Sequence, residues 1–401
     1  MPKVLLLENP HPDADAIYRQ AGFEVERRVG ALDEDELIEA LQGVDAVGIR
    51  SKTAITEKVL ASCPRLSCIG AYCIGTNQID LSEATRRGVA VFNAPYSNTR
   101  SVVEMAISLI IALSRQLPQK NAALHRGVWQ KSAAGAHEVR GKTLGIIGYG
   151  HIGMQLSVLA EAMGMKVIFY DTAERLALGN AHGCKTMEEL LGRADVVSIH
   201  VDGNPTNANM FGPQQFEQMQ PGAILLNLSR GSVIDSGALV QALEAGMLSG
   251  AAIDVFPTEP KKNGDPFNSP LAKFANVVLT PHVGGSTEEA QLDIGQFVTS
   301  KVVGYFQSAS KDMSVNLPNL TLPVSKDALY RVAYIHTNAP GVLAEINHIF
   351  ASHGANINGQ ILGTQGRVGY VITDISSELP VETVAALKRG EETIKLRVLT
   401  H

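Results

Sequence analysis

Gly148, Gly150 and Gly153, in the run LGIIGYGHIG (144–153), have the spacing G-x-G-x-x-G directly after an apolar stretch. Such a turn serves to bind a pyrophosphate. Gly148 permits the tight turn, Gly150 lets the backbone approach the phosphates and Gly153 allows close helix–strand packing. Amides at the N-terminus of the following helix, expected over Met154–Met163, then face the phosphate charge. The next apolar run, KVIFYD, closes on Asp171. A carboxylate there accepts hydrogen bonds from both ribose hydroxyls and repels the 2′-phosphate of NADP, so the expected cofactor is NAD. Arg175 lies nearby without cancelling that argument.

Three further polar residues sit just beyond apolar runs. Arg230 follows AILLNLS, Glu259 follows AAIDVF in the run PTEP, and His282 follows VVLTP and precedes Gly284 and Gly285. Taken singly, each has an ordinary explanation: a surface residue in a turn, a loop carboxylate beside prolines, a packed loop imidazole. Their repetition after successive strands is what points to a site, because an open α/β sheet presents its ligands beyond the carboxyl ends of its strands.

The elements that must position these residues follow from periodicity. Residues 1–94 alternate short apolar runs (Lys3–Leu7, Phe23–Val29, Ala46–Ile49, Leu66–Ala71, Val89–Phe92) with helical stretches such as Glu34–Leu41 and Leu81–Arg87, which implies a parallel sheet covered by helices. A long amphipathic helix is expected from Ser97–Asn98, with Ser101 and Glu104 at capping-box spacing and Pro118 ending or bending it. A second alternating block, from Lys142 to about Gly285, contains six strand candidates: Thr143–Ile147, Lys166–Tyr170, Val196–His200, Ala223–Asn227, Ala251–Val255 and Val277–Thr280. The helix from Ser286 to about Phe306 should return the chain to the first domain. Residues 307–327, polar and containing Pro318 and Pro323, read as a linker. The remainder runs strand, helix, strand, strand, helix, strand, the split βαβ order of a ferredoxin-like unit. The expected fold class is therefore α/β: two doubly wound, parallel-sheet, Rossmann-like domains plus a C-terminal ferredoxin-like α+β domain. The boundaries are 1–97 with 287–318 (discontinuous), 98–286, and 328–401.

Composition supports globular domains. Of 401 residues 45% are apolar and 18% charged, with a net charge of −6. The absence of a dense Lys/Arg stripe excludes nucleic acid as an expected partner. The N-terminal MPKVLLLENP lacks the features of a signal peptide, and no apolar run approaches the ~20 residues of a membrane span. A cytoplasmic location is expected, with no membrane partner. Cys63, Cys68 and Cys73 recur at an interval that is not a zinc-ligand spacing. With Cys184 they are expected to be reduced thiols, and no metal site is expected.

The order GYGHIG, NLSRGSVID, DVFPTEP and TPHVGGST resembles the D-isomer-specific 2-hydroxyacid dehydrogenases. The stretches AYCIGTNQID and VFNAPYSNTRSVVE, and IHTNAPGVLAEIN in the tail, are similar to the phosphoglycerate dehydrogenase branch that carries a serine-regulated ACT domain. The resemblance implies roles. His282 would be the general acid/base for the substrate hydroxyl, Glu259 would orient its imidazole, and Arg230 would grip the substrate carboxylate. Asp254 would accept from the nicotinamide carboxamide, while His151, Ile152, His200, Ser229, Gly284 and Gly285 would line the cofactor. Arg50, Ser51 and Lys52 lie at the end of a first-domain strand, and two cations suit a carboxylate plus a phosphate. Many relatives carry Arg where Lys52 stands, so the charge is kept and a bidentate grip is not. Gly75 and Asn98 are further substrate candidates.

Trp129 and Lys131 resemble residues that cross a dimer interface, and interface packing alone would equally explain Trp129. In the tail, His336, Asn338 and Asn356 match positions that contact L-serine, at an interface between two such domains. Here Ala339 stands where close relatives carry Arg, and residues 324–330 hold no Gly-Gly pair. Effector binding and a purely structural assembly domain therefore both stay open. The resemblance implies NAD-dependent oxidation of 3-phosphoglycerate at the entry to serine synthesis, by a homo-oligomer, a tetramer in the family's manner. The alternatives are a dehydrogenase for another D-2-hydroxyacid such as 2-hydroxyglutarate, and a non-catalytic NAD(H)-sensing regulator.

Overall fold

Short apolar runs separated by capped helices build the first sheet. In the computed structural model, which describes residues 1–260 and 264–400, β1 (Lys3–Leu6), β2 (Glu24–Arg27), β3 (Ala46–Ile49), β4 (Cys68–Ala71) and β5 (Ala90–Asn93) pair in parallel in the order β2-β1-β3-β4-β5. Every residue of β3 and β4 is buried, as expected of central parallel strands covered on both faces. The connecting helices are α1 (Asp13–Gln20), α2 (Glu34–Ala40), α3 (Glu57–Ser62) and α4 (Leu81–Arg86). Asp33, Thr56 and Asp80 accept first-turn amides and so fix where the last three begin.

The second compact unit spans Asn98–Ala290. It opens with α5 (Thr99–Ser114) and α6 (Leu117–His125). The Ser101–Glu104 capping box does not form. The helix starts earlier, at Asn98–Thr99, so both residues are already interior to it; Ser101 shares a hydrogen bond with Thr287 and Glu104 pairs with Arg100. Gln116, at φ +53, breaks the helix, and Pro118 sits in the first turn of α6. This bent pair has the apolarity of a membrane span only when the two helices are taken together; among the described residues no single helix is long and apolar enough to cross a membrane.

The second sheet contains β6 (Thr143–Ile147), β7 (Lys166–Tyr170), β8 (His182–Gly183), β9 (Val196–Ile199), β10 (Ala223–Asn227), β11 (Leu248–Ile253) and β12 (Val277–Leu279). Its order is β12-β11-β10-β9-β6-β7-β8, all parallel, a doubly wound arrangement with the reversal beside β6. Sequence periodicity missed β8, because two residues carry no period. The helices are α7 (His151–Ala162), α8 (Met187–Leu191), α9 (Pro213–Gln218) and α10 (Ser236–Glu244). Next comes α11 (Glu288–Ser308), whose residues from Gln291 onward belong to the first unit.

Residues 309–329 are not a free spacer. Lys311, Ser314, Asn316 and Leu317 are buried, and Ser314 bridges Phe92 at the edge of β5. The Asn316 side chain accepts from the Val91 amide at 2.9 Å and donates to the Val89 carbonyl at 2.9 Å. An edge strand offers unpaired backbone groups, and this segment satisfies them.

The C-terminal part is the ferredoxin-like domain: β13 (Tyr330–Thr337), α12 (Val342–Ser352), β14 (Ile357–Gln365), β15 (Val368–Ile375), α13 (Val381–Arg389) and β16 (Thr393–Thr400). Its sheet is antiparallel in the order β14-β15-β13-β16. One face packs α12 and α13 through Val332, Tyr334, Ile346, Phe350 and Leu387. The other joins the core of the first sheet through Ala333, Ile335, Tyr370 and Ile372. Polar side chains on that second face serve the C-terminal end of α11, where the last backbone carbonyls run out of helical partners. Arg331, ion-paired with Asp374, donates to the Ser308 carbonyl. Arg397 donates to those of Tyr305 and Phe306, and the Tyr370 hydroxyl to that of Ala309.

Candidate active site

The glycine turn joins β6 to α7. Gly148 has φ +90, and a Cβ on it would lie 2.6 Å from the His200 carbonyl oxygen, at the end of neighbouring β9. A Cβ on Gly153 would overlap the Gly148 carbonyl oxygen. A Cβ on Gly150 would meet nothing within 4 Å. Protein packing therefore explains the first and third glycines, and the second faces open space. The twelve-residue helix α7 begins there, at His151, with no side-chain cap and no acidic residue in its first turn. A helix start without a side-chain cap, and the open space beside Gly150, fit a pyrophosphate.

Asp171, just past β7, accepts the amides of Tyr149 at 2.8 Å and Ala173 at 2.9 Å, and Arg175 pairs with it at 3.3 Å. The first contact ties the carboxylate directly to the glycine turn. His200 packs its ring inside the unit, Nε2 sharing a 2.8 Å hydrogen bond with the Ser198 hydroxyl, and burial holds its pKa down to about 4. It is a neutral imidazole near pH 7.

Arg230, Glu259 and His282 follow β10, β11 and β12, which are adjacent and parallel. All three therefore emerge at the same end of the sheet. His282 Nδ1 lies 2.9 and 3.1 Å from the two Glu259 carboxylate oxygens, and Glu259 Oε1 also accepts the Phe256 amide at 3.1 Å. The Nδ1–H donates to the carboxylate, leaving the Nε2 lone pair free to accept a proton. The pair remains reachable, with the His282 side chain 48% exposed.

His282 has φ +55, a left-handed conformation uncommon for a non-glycine residue. Buried Asp254 holds the turn in that shape: its carboxylate accepts the Thr280 hydroxyl at 2.6 Å and the amides of Val283 at 2.9 Å and Gly284 at 2.8 Å. Both oxygens of Asp254 are thus already engaged by the turn that carries His282. Gly284 lies against Asp254 and Gly285 against the Asn98 side chain, with no room for a larger residue to be added at either without movement.

Asn227, a residue that sequence reasoning passed over, locks the Arg230 turn. Its Oδ1 accepts the amide and hydroxyl of Ser229, and its Nδ2 donates to the Arg230 carbonyl. The Arg230 guanidinium donates to the Ser229 carbonyl at 2.7 Å. A Cβ on Gly231 would overlap the Phe256 carbonyl, so glycine is what lets this turn lie against the loop that carries Glu259.

This geometry suits acid/base chemistry beside a dinucleotide, and relatives narrow it further. Residues 107–284 match the model of the D-isomer specific 2-hydroxyacid dehydrogenase, NAD binding domain, and residues 332–395 that of the AHAS small subunit-like ACT domain. D-3-phosphoglycerate dehydrogenase of Escherichia coli (strain K12) is 49% identical over 400 residues, covering 99% of this chain and 97% of that one. The chain belongs to the D-3-phosphoglycerate dehydrogenase family. Its cofactor is NAD. Among solved structures, D-2-hydroxyisocaproate dehydrogenase matches with a TM-score of 0.71 at 25% identity, over 78% of this chain and 99% of that one. D-lactate dehydrogenase from Aquifex aeolicus, complexed with NAD and lactic acid, matches with a TM-score of 0.67 at 26% identity, over 79% of this chain and 100% of that one.

In this family member the remaining candidates fall as follows. Within the first unit, Arg50, Ser51 and Lys52 follow β3, and Gly75 follows the adjacent β4. Gln78, unremarked in the sequence, ties the two loops by donating to the carbonyls of Arg50 at 2.6 Å and Gly75 at 3.3 Å. Trp129 is 78% exposed in the second unit, and Lys131 is exposed near it. In the ACT domain His336 is buried across the sheet from Gly369, whose missing side chain leaves room for the ring; among the described residues its Nε2 has no hydrogen-bond partner. Asn338 donates to the Gly366 carbonyl, and Asn356 to the Ser376 hydroxyl. Strand register sets these residues apart. His336 pairs with Gly369 near the start of β15, whereas Ile357, next to Asn356, pairs with Ile375 at its end. The two groups stand about 20 Å apart within one sheet.

Proposed function

We propose that this chain oxidises 3-phospho-D-glycerate to 3-phosphooxypyruvate with NAD, the entry step to L-serine. The observation that carries the reading is the His282–Glu259 pair: an imidazole held by a carboxylate through Nδ1, with Nε2 free, at the same sheet end as Arg230. Bound NAD supplies the acceptor for the hydride that leaves the carbinol carbon. His282 Nε2 takes the hydroxyl proton, and Glu259 stabilises the imidazolium that forms. Arg230 holds the substrate carboxylate and polarises the oxygen that becomes the carbonyl. Arg50 and Lys52 supply cations for the phosphate.

A purely NAD(H)-sensing protein would have no use for that pair. The deciding measurement is NADH consumption with 3-phosphooxypyruvate, alongside 2-oxoglutarate and unphosphorylated 2-oxoacids. Turnover of those compounds with none of 3-phosphooxypyruvate would refute the substrate. His282→Ala should lower kcat by roughly 10²–10⁴ with NADH affinity unchanged; retained turnover would refute the mechanism.

The same reading makes the chain a cytoplasmic homo-oligomer, with exposed Trp129 and Lys131 at an interface, and makes the ACT domain a sensor of L-serine. The separation of His336 and Asn338 from Asn356 supports a ligand shared between two copies, one giving the first two residues and the other the third. Activity titrated with L-serine should fall, and Asn338→Ala should blunt the fall; a flat response in both proteins would leave the domain an assembly module.

A further inference from the structure

The turn carrying Arg50 and Lys52 is organised by a residue outside it. The amides of Arg50 (3.2 Å), Lys52 (3.0 Å) and Thr53 (2.8 Å) all donate to the carboxylate of Glu8, the first and last to Oε1 and the middle one to Oε2. We propose that Glu8 is a positioning residue for substrate binding, which fixes the backbone of residues 50–53 so that the Arg50 and Lys52 side chains present a rigid cationic pair to the phosphorylated substrate. The proposal rests on the reading of Arg50 and Lys52 as substrate residues.

Three features support it. First, the backbone places Glu8 deliberately: Glu8 and Asn9, directly after β1, both have positive φ (+61 and +52), a conformation that non-glycine residues rarely adopt. The turn is pinned from both sides, Leu7 donating to the Gly48 carbonyl and Glu8 to that of Gly30. Second, the carboxylate spends itself on amides alone. Among the described residues neither the Arg50 guanidinium nor the Lys52 ammonium has an ion-pair partner, so both charges remain available to an anion. Third, convergent backbone amides form an anion-binding concavity. A carboxylate from the chain itself occupies this one, which leaves the substrate's phosphate to the side chains. Gln78 completes the frame by holding the Arg50 carbonyl.

Glutamine at position 8 has one acceptor oxygen and would turn an NH₂ group toward one of the three amides. Glu8→Gln should raise KM for 3-phosphooxypyruvate about 10- to 100-fold, the range for lost hydrogen bonds to a charged group. The kcat at saturation should stay within threefold and the NADH Kd within twofold, a split that general loss of structure would not produce. Adding Glu8→Gln to Arg50→Ala should raise KM by a smaller factor than Glu8→Gln does in the wild-type background, because the part that acts through Arg50 is already lost while the part through Lys52 remains. Glu8→Asp, which keeps the charge but shortens the reach, should fall between wild type and Glu8→Gln, and decides the matter if the glutamine variant does not fold. A KM within twofold of wild type in the folded Glu8 variants, while Arg50→Ala raises it, would overturn the proposal. Full multiplication of the two effects would overturn it as well. If Arg50→Ala leaves KM unchanged, the substrate reading of that turn fails first, and the two failures are told apart.

Discussion

Replacing Glu259 by glutamine tests how the His282 imidazole is held. In the native pair Nδ1–H donates to a carboxylate whose oxygens lie 2.9 and 3.1 Å away, and Oε1 also serves the Phe256 amide. Glutamine keeps the shape but loses the charge. With its oxygen turned to the Phe256 amide, its NH₂ faces Nδ1, which then must act as acceptor. The proton moves to Nε2, where it blocks removal of the substrate proton. With the amide reversed, the tautomer survives and the developing imidazolium loses its counter-charge. That loss lies between the ~1 kcal/mol of a pair in bulk water and the ~4 kcal/mol of a partly shielded one, and the exposure of both side chains keeps it below the upper value. Exchange of a charge-assisted for a neutral hydrogen bond adds about 1 kcal/mol. Together roughly 2–4 kcal/mol is expected on the barrier, a fall of about 30- to 1,000-fold in kcat. Steady-state kinetics with 3-phosphooxypyruvate and fluorescence titration of NADH, on both proteins, provide the comparison. Activity within threefold of wild type, or a loss that resides wholly in NADH affinity, would refute the role given to Glu259.

Gly148→Ala should destabilise the second unit by about 2–4 kcal/mol and weaken NADH binding at least tenfold. It forces a Cβ onto a φ of +90 and toward the His200 carbonyl, and denaturant unfolding with NADH titration would reveal an unchanged protein if the argument is wrong. The His200 imidazole, held to about pKa 4 by burial against 6.5 when unfolded, makes stability pH-dependent. Its contribution is complete above pH 6.5 and is lost as pH falls toward 4, because only the unfolded chain takes up the proton; the loss is roughly 2–3 kcal/mol. Urea unfolding at pH 7 and pH 4.5 should show a smaller drop for His200→Asn than for wild type, and equal drops would contradict the assignment.

Much of this protein was legible along the chain because the informative patterns are local. The glycine spacing, the strand closing on Asp171, and the placement of Arg230, Glu259 and His282 just past apolar runs each occupy a few consecutive residues. Alternation of strands and helices then puts successive strand ends at one edge of a parallel sheet, so positions in sequence translate directly into positions at a site. The split βαβ order of the tail is legible for the same reason. Where reading failed, a competing partner lay far away in sequence. Ser101 looked like a cap, yet the helix had already begun at Asn98–Thr99 and its hydroxyl bonds to Thr287. Residues 307–327 looked like a spacer because they are polar and proline-bearing, yet the open edge of β5 recruits Ser314 and Asn316.

The sequence by itself determined the cofactor class and the fold class, and it placed Arg230, Glu259 and His282 just past successive strands, since each depends on residue type at short spacing. Only the tertiary structure decided what holds those residues in place. Asp254 clamps the His282 turn, Asn227 the Arg230 turn and Glu8 the Arg50–Thr53 turn, by hydrogen bonds whose specificity lies in the three-dimensional approach of groups with no periodic relation. The ACT sheet is the same case on a larger scale. Its strands can be read from alternation, but antiparallel register alone separates His336 from Asn356, and packing alone directs Arg331 and Arg397 onto the last carbonyls of α11 and Tyr370 onto that of Ala309 just beyond it.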